Sequence, residues 1–348
     1  MRRIWFVSIS LLFIIPFSLF ASPFDMILVG DPALDDLRFL SLETGRPFLS
    51  FTPPLSPREI EQFLNSLDIS LLSPHALEIY NRLIGRLNPE ARVNFSVDYF
   101  TFFLGINSTL ELVTRFNSDI SLEPQGPRPP ALLSLPVSLF FGNSLQLYIE
   151  PAVALSPQYY MNDSYMKNFG FNIPLNAWRF DLSTPNRAFI AVGGPWWNFQ
   201  LGRDRLSFGT GRMGNLNISD SPAYYDFARL SFFSRVIKYS VLVSQMPLDI
   251  SCGLLAEHVD TDLFRTMQRY YYLHRLDFHL FNRLSIGIME GALVGNSPLE
   301  LRFLNPLIIF HQLYSRWNYD FWMAANKSGL RSAGRALSSF SLMVEQTV

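Results

Sequence analysis

Polar and apolar side chains alternate with a period of two along residues 269–291, which read RYYYLHRLDFHLFNRLSIGIMEG. Arg275, Asp277 and His279 have one parity, and Leu276 has the other. A period of two is the repeat of a β-strand, whose successive side chains point to opposite faces of a sheet. The segment therefore predicts strands with a polar environment on one face and an apolar environment on the other.

The same alternation recurs from about residue 93 onward. It predicts hairpins with turns at Gly142-Asn143, at Gly193-Gly194-Pro195, at Ser234-Arg235 and at Asn282, and an earlier strand pair formed by NFSVDYF and TLELVTRF. Longer links separate the hairpins, at 151–186, 203–222 and 245–268. Short turns on one side and long loops on the other are typical of an antiparallel outer-membrane β-barrel. A soluble β-protein also alternates and is the alternative fold.

The composition suits apolar residues that are distributed along strands. Of the 348 residues, 49% are hydrophobic, 15% aromatic and 16% charged, while the mean hydropathy is only +0.15. A formal net charge of −1 gives no support for nucleic-acid binding, which needs clustered basic residues. Cys252 is the single cysteine, which excludes an intrachain disulfide and a cysteine-based metal cluster.

The first 22 residues, MRRIWFVSISLLFIIPFSLFAS, have the basic start, apolar run and small-residue end of a secretory signal peptide. An uncleaved membrane anchor is the alternative. The remaining sequence has no run of the ~18–20 apolar residues that a spanning helix needs. An exported chain without a helical span is expected to stay in the cell outer membrane as a closed barrel. Such a barrel would be inserted with the help of the barrel-assembly machinery and would contact outer-membrane lipid.

Residues 23–90 are predicted to form an N-terminal periplasmic segment. Residues 23–53 read as irregular, and Ser56, Pro57 and Glu59 then form the capping box of a helix. Ser73-Pro74 begins a second helix, whose predicted buried face is Leu77, Tyr80, Leu83, Ile84 and Leu87. The two helices form a small αα-hairpin, which must dock as a plug because it cannot hold a core alone.

Candidate ligand-binding residues combine an inward polar row with aromatic rings and a charged loop start. The row and its loop suit the hydroxyl and carboxylate groups of sugars, and the aromatic faces suit sugar rings. The set is Trp196, Trp197, Arg203, Asp204, Arg205, Tyr224, Arg229, Arg275, Asp277 and His279. The alternative interpretation is that these polar residues fill a lumen and pair with one another. Neither a catalytic G-x-S-x-G turn nor a metal site is predicted, since His274 and His279 have opposite parity.

Four segments, taken in order, resemble the capsule-assembly (Wzi-type) outer-membrane β-barrels. They are LGRDRLSFGTG at 201–211, SPAYYDFARLSFF at 221–233, LHRLDFHLFNRLSIGIMEGALVG at 273–295 and LRFLNPLIIFHQLY at 301–314. The resemblance implies a wide barrel with a helical periplasmic piece that holds capsular polysaccharide as a lectin, without enzymatic activity or cofactor. It also implies a role for Glu290. Because Glu290 shares the parity of Ile286 and Ile288, a bulge or a position beyond the apolar band is expected there.

The predicted organisation is a signal peptide at 1–22, the periplasmic segment at 23–90, barrel strands at 91–326 and an irregular tail at 327–348, which a frame shift or truncation would explain. The predicted function is non-enzymatic binding of capsular or other surface polysaccharide. An outer-membrane diffusion channel and an exported hydrolase are the alternatives. Conductance would identify the channel, and dependence of hydrolysis on Asp277 and His279 would identify the enzyme.

Overall fold

The computed structural model describes the following residues: 24–87, 94–97, 100–114, 131–155, 169–174, 179–180, 185–211, 215, 217–246, 269–280, 283–295, 299–310 and 336–346. The predicted signal peptide and Cys252 lie outside these residues. The described part of the chain is mainly β, with a large antiparallel sheet and few helices.

The strands in chain order are β1 (Asn94–Val97), β2 (Phe100–Leu104), β3 (Asn107–Ser108), β4 (Leu112–Thr114), β5 (Leu133–Ser134), β6 (Val137–Phe141), β7 (Leu145–Ile149), β8 (Ala152–Val153), β9 (Phe169–Phe171), β10 (Ala188–Gly193), β11 (Trp197–Asp204), β12 (Tyr225–Phe233), β13 (Ile237–Met246), β14 (Arg269–Leu280), β15 (Leu284–Gly295) and β16 (Ala336–Gln346). The main sheet has 11 strands in the order β1-β2-β6-β7-β10-β11-β12-β13-β14-β15-β16. Small sheets of β3-β5-β8 and β4-β9 accompany it.

The four hairpins predicted from the alternation are confirmed as the antiparallel pairs β6–β7, β10–β11, β12–β13 and β14–β15. The turns of the first three pairs lie at one end of the sheet, here called the short-turn end, and the opposite end is the long-loop end; the predicted turn residue Asn282 lies outside the described residues. In β14–β15 the register is continuous from Arg269↔Gly295 to Leu280↔Leu284, so the two faces keep their parity throughout.

Two strand predictions were wrong. NFSVDYF and TLELVTRF do not pair with each other: β1 pairs with β2, and β4 pairs with β9. The tail predicted as irregular contains β16, which pairs with β15 along its length. Its parity places Phe340, Leu342 and Val344 opposite Glu290, Ile288 and Ile286, so a period of two is present there, although serines at 338, 339 and 341 obscure it.

The N-terminal part contains three helices, α1 (Ala33–Thr44), α2 (Pro57–Leu64) and α3 (Pro74–Leu87). The capping box at α2 is confirmed: Ser56 accepts a hydrogen bond from the first turn, and Glu59 accepts one from the Ser56 backbone N–H at 3.1 Å. The prediction that residues 23–53 are irregular was wrong, since α1 lies within them. None of the helices among the described residues is long and apolar enough to cross a membrane.

The buried face of α3 also differs from the predicted one. Ala76, Ile79, Leu83 and Leu87 are buried, whereas Leu77 and Ile84 are exposed. The unpredicted helix α1 explains this difference, because α3 packs on α1 and turns that side inward. The helices and residues 48–55 share one hydrophobic core, so the predicted αα-hairpin is part of a larger three-helix module.

Ion pairs connect the start of the module to its last helix. Arg86 on α3 pairs with Asp25 and with Asp31, at 2.5 Å and 2.9 Å. Burial alone would lower the pKa of Arg86, but the two carboxylates outweigh it and raise that pKa. The guanidinium therefore stays charged and holds residues 25–31 against α3.

Candidate functional site

An extended segment at 46–56, here called the strap, links α1 to α2 and lies against one face of the main sheet. This face is called inward, and the opposite face outward. The strap contacts sheet residues more than 170 positions away, including a hydrogen bond from the Ser285 hydroxyl to the Leu49 carbonyl at 3.0 Å. It brings the inward polar side chains of β11 to β15 together with the N-terminal module.

Arg229 on β12 is buried at the centre of this contact. Its Nη1 donates to the carbonyl of Thr52 at 2.9 Å, and its Nη2 donates to the carbonyl of Pro54 and to Gln200 Oε1. Guanidinium forks can hold two acceptors at once, and strap carbonyls occupy them here. Arg229 therefore fixes the strap to the sheet.

Lys238 on β13 forms a buried ion pair with Glu59 of α2, with side-chain exposures of 1% and 5%. The same ammonium donates to Thr52 Oγ1 at 2.9 Å, and Asn198 Nδ2 donates to Glu59 Oε1 at 3.1 Å. A buried ion pair of this kind requires that its remaining hydrogen bonds are made, as they are here. Glu59 thus joins the helix start and the sheet.

Arg275 and Asp277 on β14 pair with each other at 2.6 Å, and both side chains are 1% exposed. The second Asp277 oxygen accepts a hydrogen bond from the Ser50 hydroxyl of the strap at 2.8 Å. Both residues lie on the strap face of the sheet, as their shared parity predicts. Their charges are satisfied within the protein, which agrees with the alternative interpretation that inward polar residues pair with one another.

The loop after β11 meets the strap from the long-loop end. Its Ser207 and Gly209 backbone N–H groups donate to the carbonyls of Pro53 and Phe51, at 3.2 Å and 2.9 Å. Its apolar side chains join a core with the inward residues of the neighbouring strands: Leu206, Phe208, Ile218, Tyr225, Phe227, Leu242, Tyr271, Leu273 and Met289. Strap and loop together cover the inward face of β11 to β15, so the inward polar row expected to be open is covered by protein in this region.

Arg203, Asp204 and Arg205 do not begin the loop as one cluster. Arg203 and Asp204 are the last residues of β11 and face opposite sides. The outward Arg203 pairs with Asp226 at 2.7 Å, and its guanidinium carbon lies 3.9 Å from the centre of the Tyr224 ring. The inward Asp204 is buried and pairs with Arg187 at 3.1 Å.

The aromatic candidates lie at opposite ends of the sheet. Trp196 is 56% exposed at the short-turn end and stacks on Phe232 with a centroid distance of 5.9 Å. The ring centroids of Trp196 and Trp197 are 6.4 Å apart, whereas Tyr224 lies beside Arg203 at the long-loop end. One binding surface cannot include both groups. Arg205 pairs with Asp220 near the Tyr224 end, at 3.4 Å.

Glu290 was expected to need a bulge or a position beyond the apolar band, and neither is found. It faces outward in the middle of β15 and pairs in register with His274. A segment at 299–310 covers both residues: the backbone N–H of Phe310 donates to Glu290 Oε2 at 2.8 Å, and the Phe310 ring lies 4.4 Å from the His274 ring. This cover satisfies the Glu290 carboxylate and packs on the His274 ring, the two polar groups that interrupt the outward apolar surface.

His279 is the next inward residue after Asp277 on β14, toward the short-turn end. It lines a cavity of about 360 Å³ between the strap, α2 and the β12–β13 turn. Arg46 and Arg235 line the same cavity, and no sequence motif identifies either of them. Arg46 and Arg235 are 189 positions apart in the sequence. They come together because the strap and the β12–β13 turn meet at one end of the sheet.

Comparisons with protein families, with curated proteins and with solved structures found no match to this chain.

Proposed function

We propose that this chain is a plugged outer-membrane β-barrel protein that binds surface polysaccharide without enzymatic activity. The observation that supports it most is the inverted polarity of the main sheet. The inward face buries Arg229, Lys238, Arg275 and Asp277 beside its apolar core. Outside the part that residues 299–310 cover, the outward face presents apolar residues to the surroundings. A soluble protein places its residues the other way round.

The outward surface is apolar over several strands. Its residues on β10 to β15 include Ile190, Val192, Phe199, Leu201, Ala228, Leu230, Phe232, Ile237, Val241, Leu276, Phe278, Ile286 and Ile288. Leu201, Phe232 and Ile237 are 47%, 41% and 49% exposed. An apolar area of this extent on a soluble monomer would be an aggregation site, whereas lipid chains would cover it in a membrane.

The position of charged and polar residues at the ends of the strands supports a membrane orientation. Arg203, Asp226 and Gln245 form the outward row at the long-loop end, next to the apolar surface. Short turns of outer-membrane barrels face the periplasm and long loops face the outside. The helical module and strap would therefore enter from the periplasm, and the Arg203–Tyr224 pair would lie near the cell surface.

A filled lumen favours a binding protein over the diffusion channel. We expect the purified protein to show no porin-like conductance in planar bilayers, because the strap and residues 205–211 and 217–220 cover the inward face. A known porin in the same bilayers is the control. Stable single-channel steps of porin size would contradict the plugged arrangement and favour the channel.

The polysaccharide part rests on the ordered resemblance to capsule-assembly barrels and on the surface at the long-loop end. There Tyr224 offers a ring and Arg203 and Arg205 offer donors, as sugar hydroxyl and carboxylate groups require. The hydrolase alternative has less support, since the Asp277 carboxylate is occupied by Arg275 and by the Ser50 hydroxyl.

Tyr224→Ala is expected to weaken polysaccharide retention about ten-fold, because aromatic residues at a binding surface commonly contribute at least ~1.4 kcal/mol. Cells that lack the gene would be complemented with the parent or the variant, and cell-bound and released polysaccharide would be measured. His75→Ala on the exposed side of α3 is the matched ring deletion and should retain the polysaccharide. Normal retention in cells without the gene would refute the proposed function.

A further inference from the structure

The cavity at the short-turn end has the size of a small ligand site. Its volume of about 360 Å³ is at the lower end of the ~300–1,000 Å³ range of ligand pockets. The strap forms one wall, α2 forms another, and the turn between β12 and β13 closes the third side. The contacts that hold Arg229, Lys238 and Ser285 against the strap therefore also fix the shape of the cavity.

The charge of the cavity favours an anion. Arg46 from the strap and Arg235 from the turn contribute two guanidinium groups, and both residues are exposed to solvent. The acidic residue in the lining, Glu59, is neutralised by its buried ion pair with Lys238. Guanidinium groups are suited to planar recognition of a carboxylate and also bind phosphate.

Polar and aromatic groups add the contacts that a sugar ring needs. His279 Nε2 is buried and has no hydrogen-bond partner among the described residues. Gln62 and Asn65 on and after α2 bring amide groups to the same lining, together with the rings of Phe63 and Phe233. Apolar walls with a few convergent polar groups are the usual composition of a small-molecule site.

We propose that this cavity binds one carboxylate-bearing sugar residue of an anionic polysaccharide, with Arg46 and Arg235 on the carboxylate and His279 on a ring hydroxyl. The inference rests on the proposed function and adds a substrate class and a second contact, at the periplasmic end of the barrel. A polymer held both here and at the long-loop end would be gripped on both sides of the membrane.

The test uses the purified full-length protein in detergent, titrated calorimetrically with an oligosaccharide of glucuronic acid. A glucose oligosaccharide of equal length and inorganic phosphate are the comparison ligands. We expect saturable binding of the acidic oligosaccharide and about ten-fold weaker binding of the neutral one. Arg46→Gln and Arg235→Gln should each weaken the acidic interaction about ten-fold. Arg82→Gln, which removes an equal charge from an exposed ion pair on α3, should leave it unchanged.

Each remaining outcome overturns the site. Equal affinity of the parent and both variants would place the sugar elsewhere, without affecting the retention assay that tests the proposed function. Phosphate that binds as tightly as the oligosaccharide would identify a simple anion site. Absence of saturable binding would exclude the cavity as a sugar site. Arg235 lies on an exposed turn, so its variant gives the result even if Arg46→Gln does not fold.

Discussion

Glu59→Ala is expected to destabilise the folded protein by about 3–5 kcal/mol, because it leaves the Lys238 ammonium buried without a counter-charge. Lys238 keeps only its hydrogen bond to Thr52 after the change. The substitution also removes the acceptor of Asn198 Nδ2 and half of the α2 capping box. One side chain therefore affects helix α2, the strap and two strands at once.

Urea unfolding in detergent micelles measures this effect. Glu61→Ala is the matched control two residues away: Glu61 forms a partly exposed pair with Arg58, so its loss should cost no more than about 1 kcal/mol. Glu59→Leu combined with Lys238→Met should recover much of the lost stability, since replacement of both buried charges by apolar groups is often close to neutral. Equal costs for Glu59→Ala and Glu61→Ala would mean that the buried pair does not hold the module to the sheet.

The two faces of the strands could be predicted from sequence because parity is a local property. Arg275 and Asp277, and Lys238 on the next strand, share the inward face predicted for them. A strand fixes the side of each residue through its own backbone, whatever lies across the sheet. The hairpin turns are equally local, since each joins neighbouring segments of the chain.

The partners of these residues could not be predicted in the same way. Ser50, Thr52 and Pro54 meet side chains far along the chain, and residues of their types are common in ordinary loops. Glu59 was identified through its local capping box, whereas its ion pair with Lys238 depends on how the module docks. The row of ligand-binding residues was predicted to be open, but the strap covers it in the structure. Local sequence patterns describe the strap only as an irregular segment.

Glu290 shows the same limit on the outward face. Its parity was assigned correctly, but an acidic residue among Ile286 and Ile288 suggested a break in the strand. The structure instead places Phe303 and Phe310 over this part of the sheet, where the Phe310 backbone satisfies the carboxylate. A cover formed by a later segment leaves no trace in the period of the strand itself.

Leu230→Arg is expected to lower the stability of the membrane-inserted protein by about 2–4 kcal/mol, the cost of an arginine on the lipid face near the bilayer midplane. Leu230 lies near the middle of β12, faces outward between Phe199 and Val241, and has no polar outward neighbour in its pairs. In water the same change at a partly exposed position would be mild, because the arginine stem would cover the apolar surface and its charge would stay hydrated.

Equilibrium unfolding from phospholipid vesicles measures the difference, with Ser234→Arg in the exposed β12–β13 turn as the control. That turn lies outside the apolar surface, so its change should cost no more than about 1 kcal/mol, from loss of the hydrogen bonds that Ser234 Oγ accepts from the Val236 and Ile237 backbone. The fraction of each variant that remains with the membrane after an alkaline wash gives a second measure. A parent protein that is folded and soluble without detergent, with equally small effects at both positions, would show that the outward face contacts water or protein and would remove the basis for a membrane barrel.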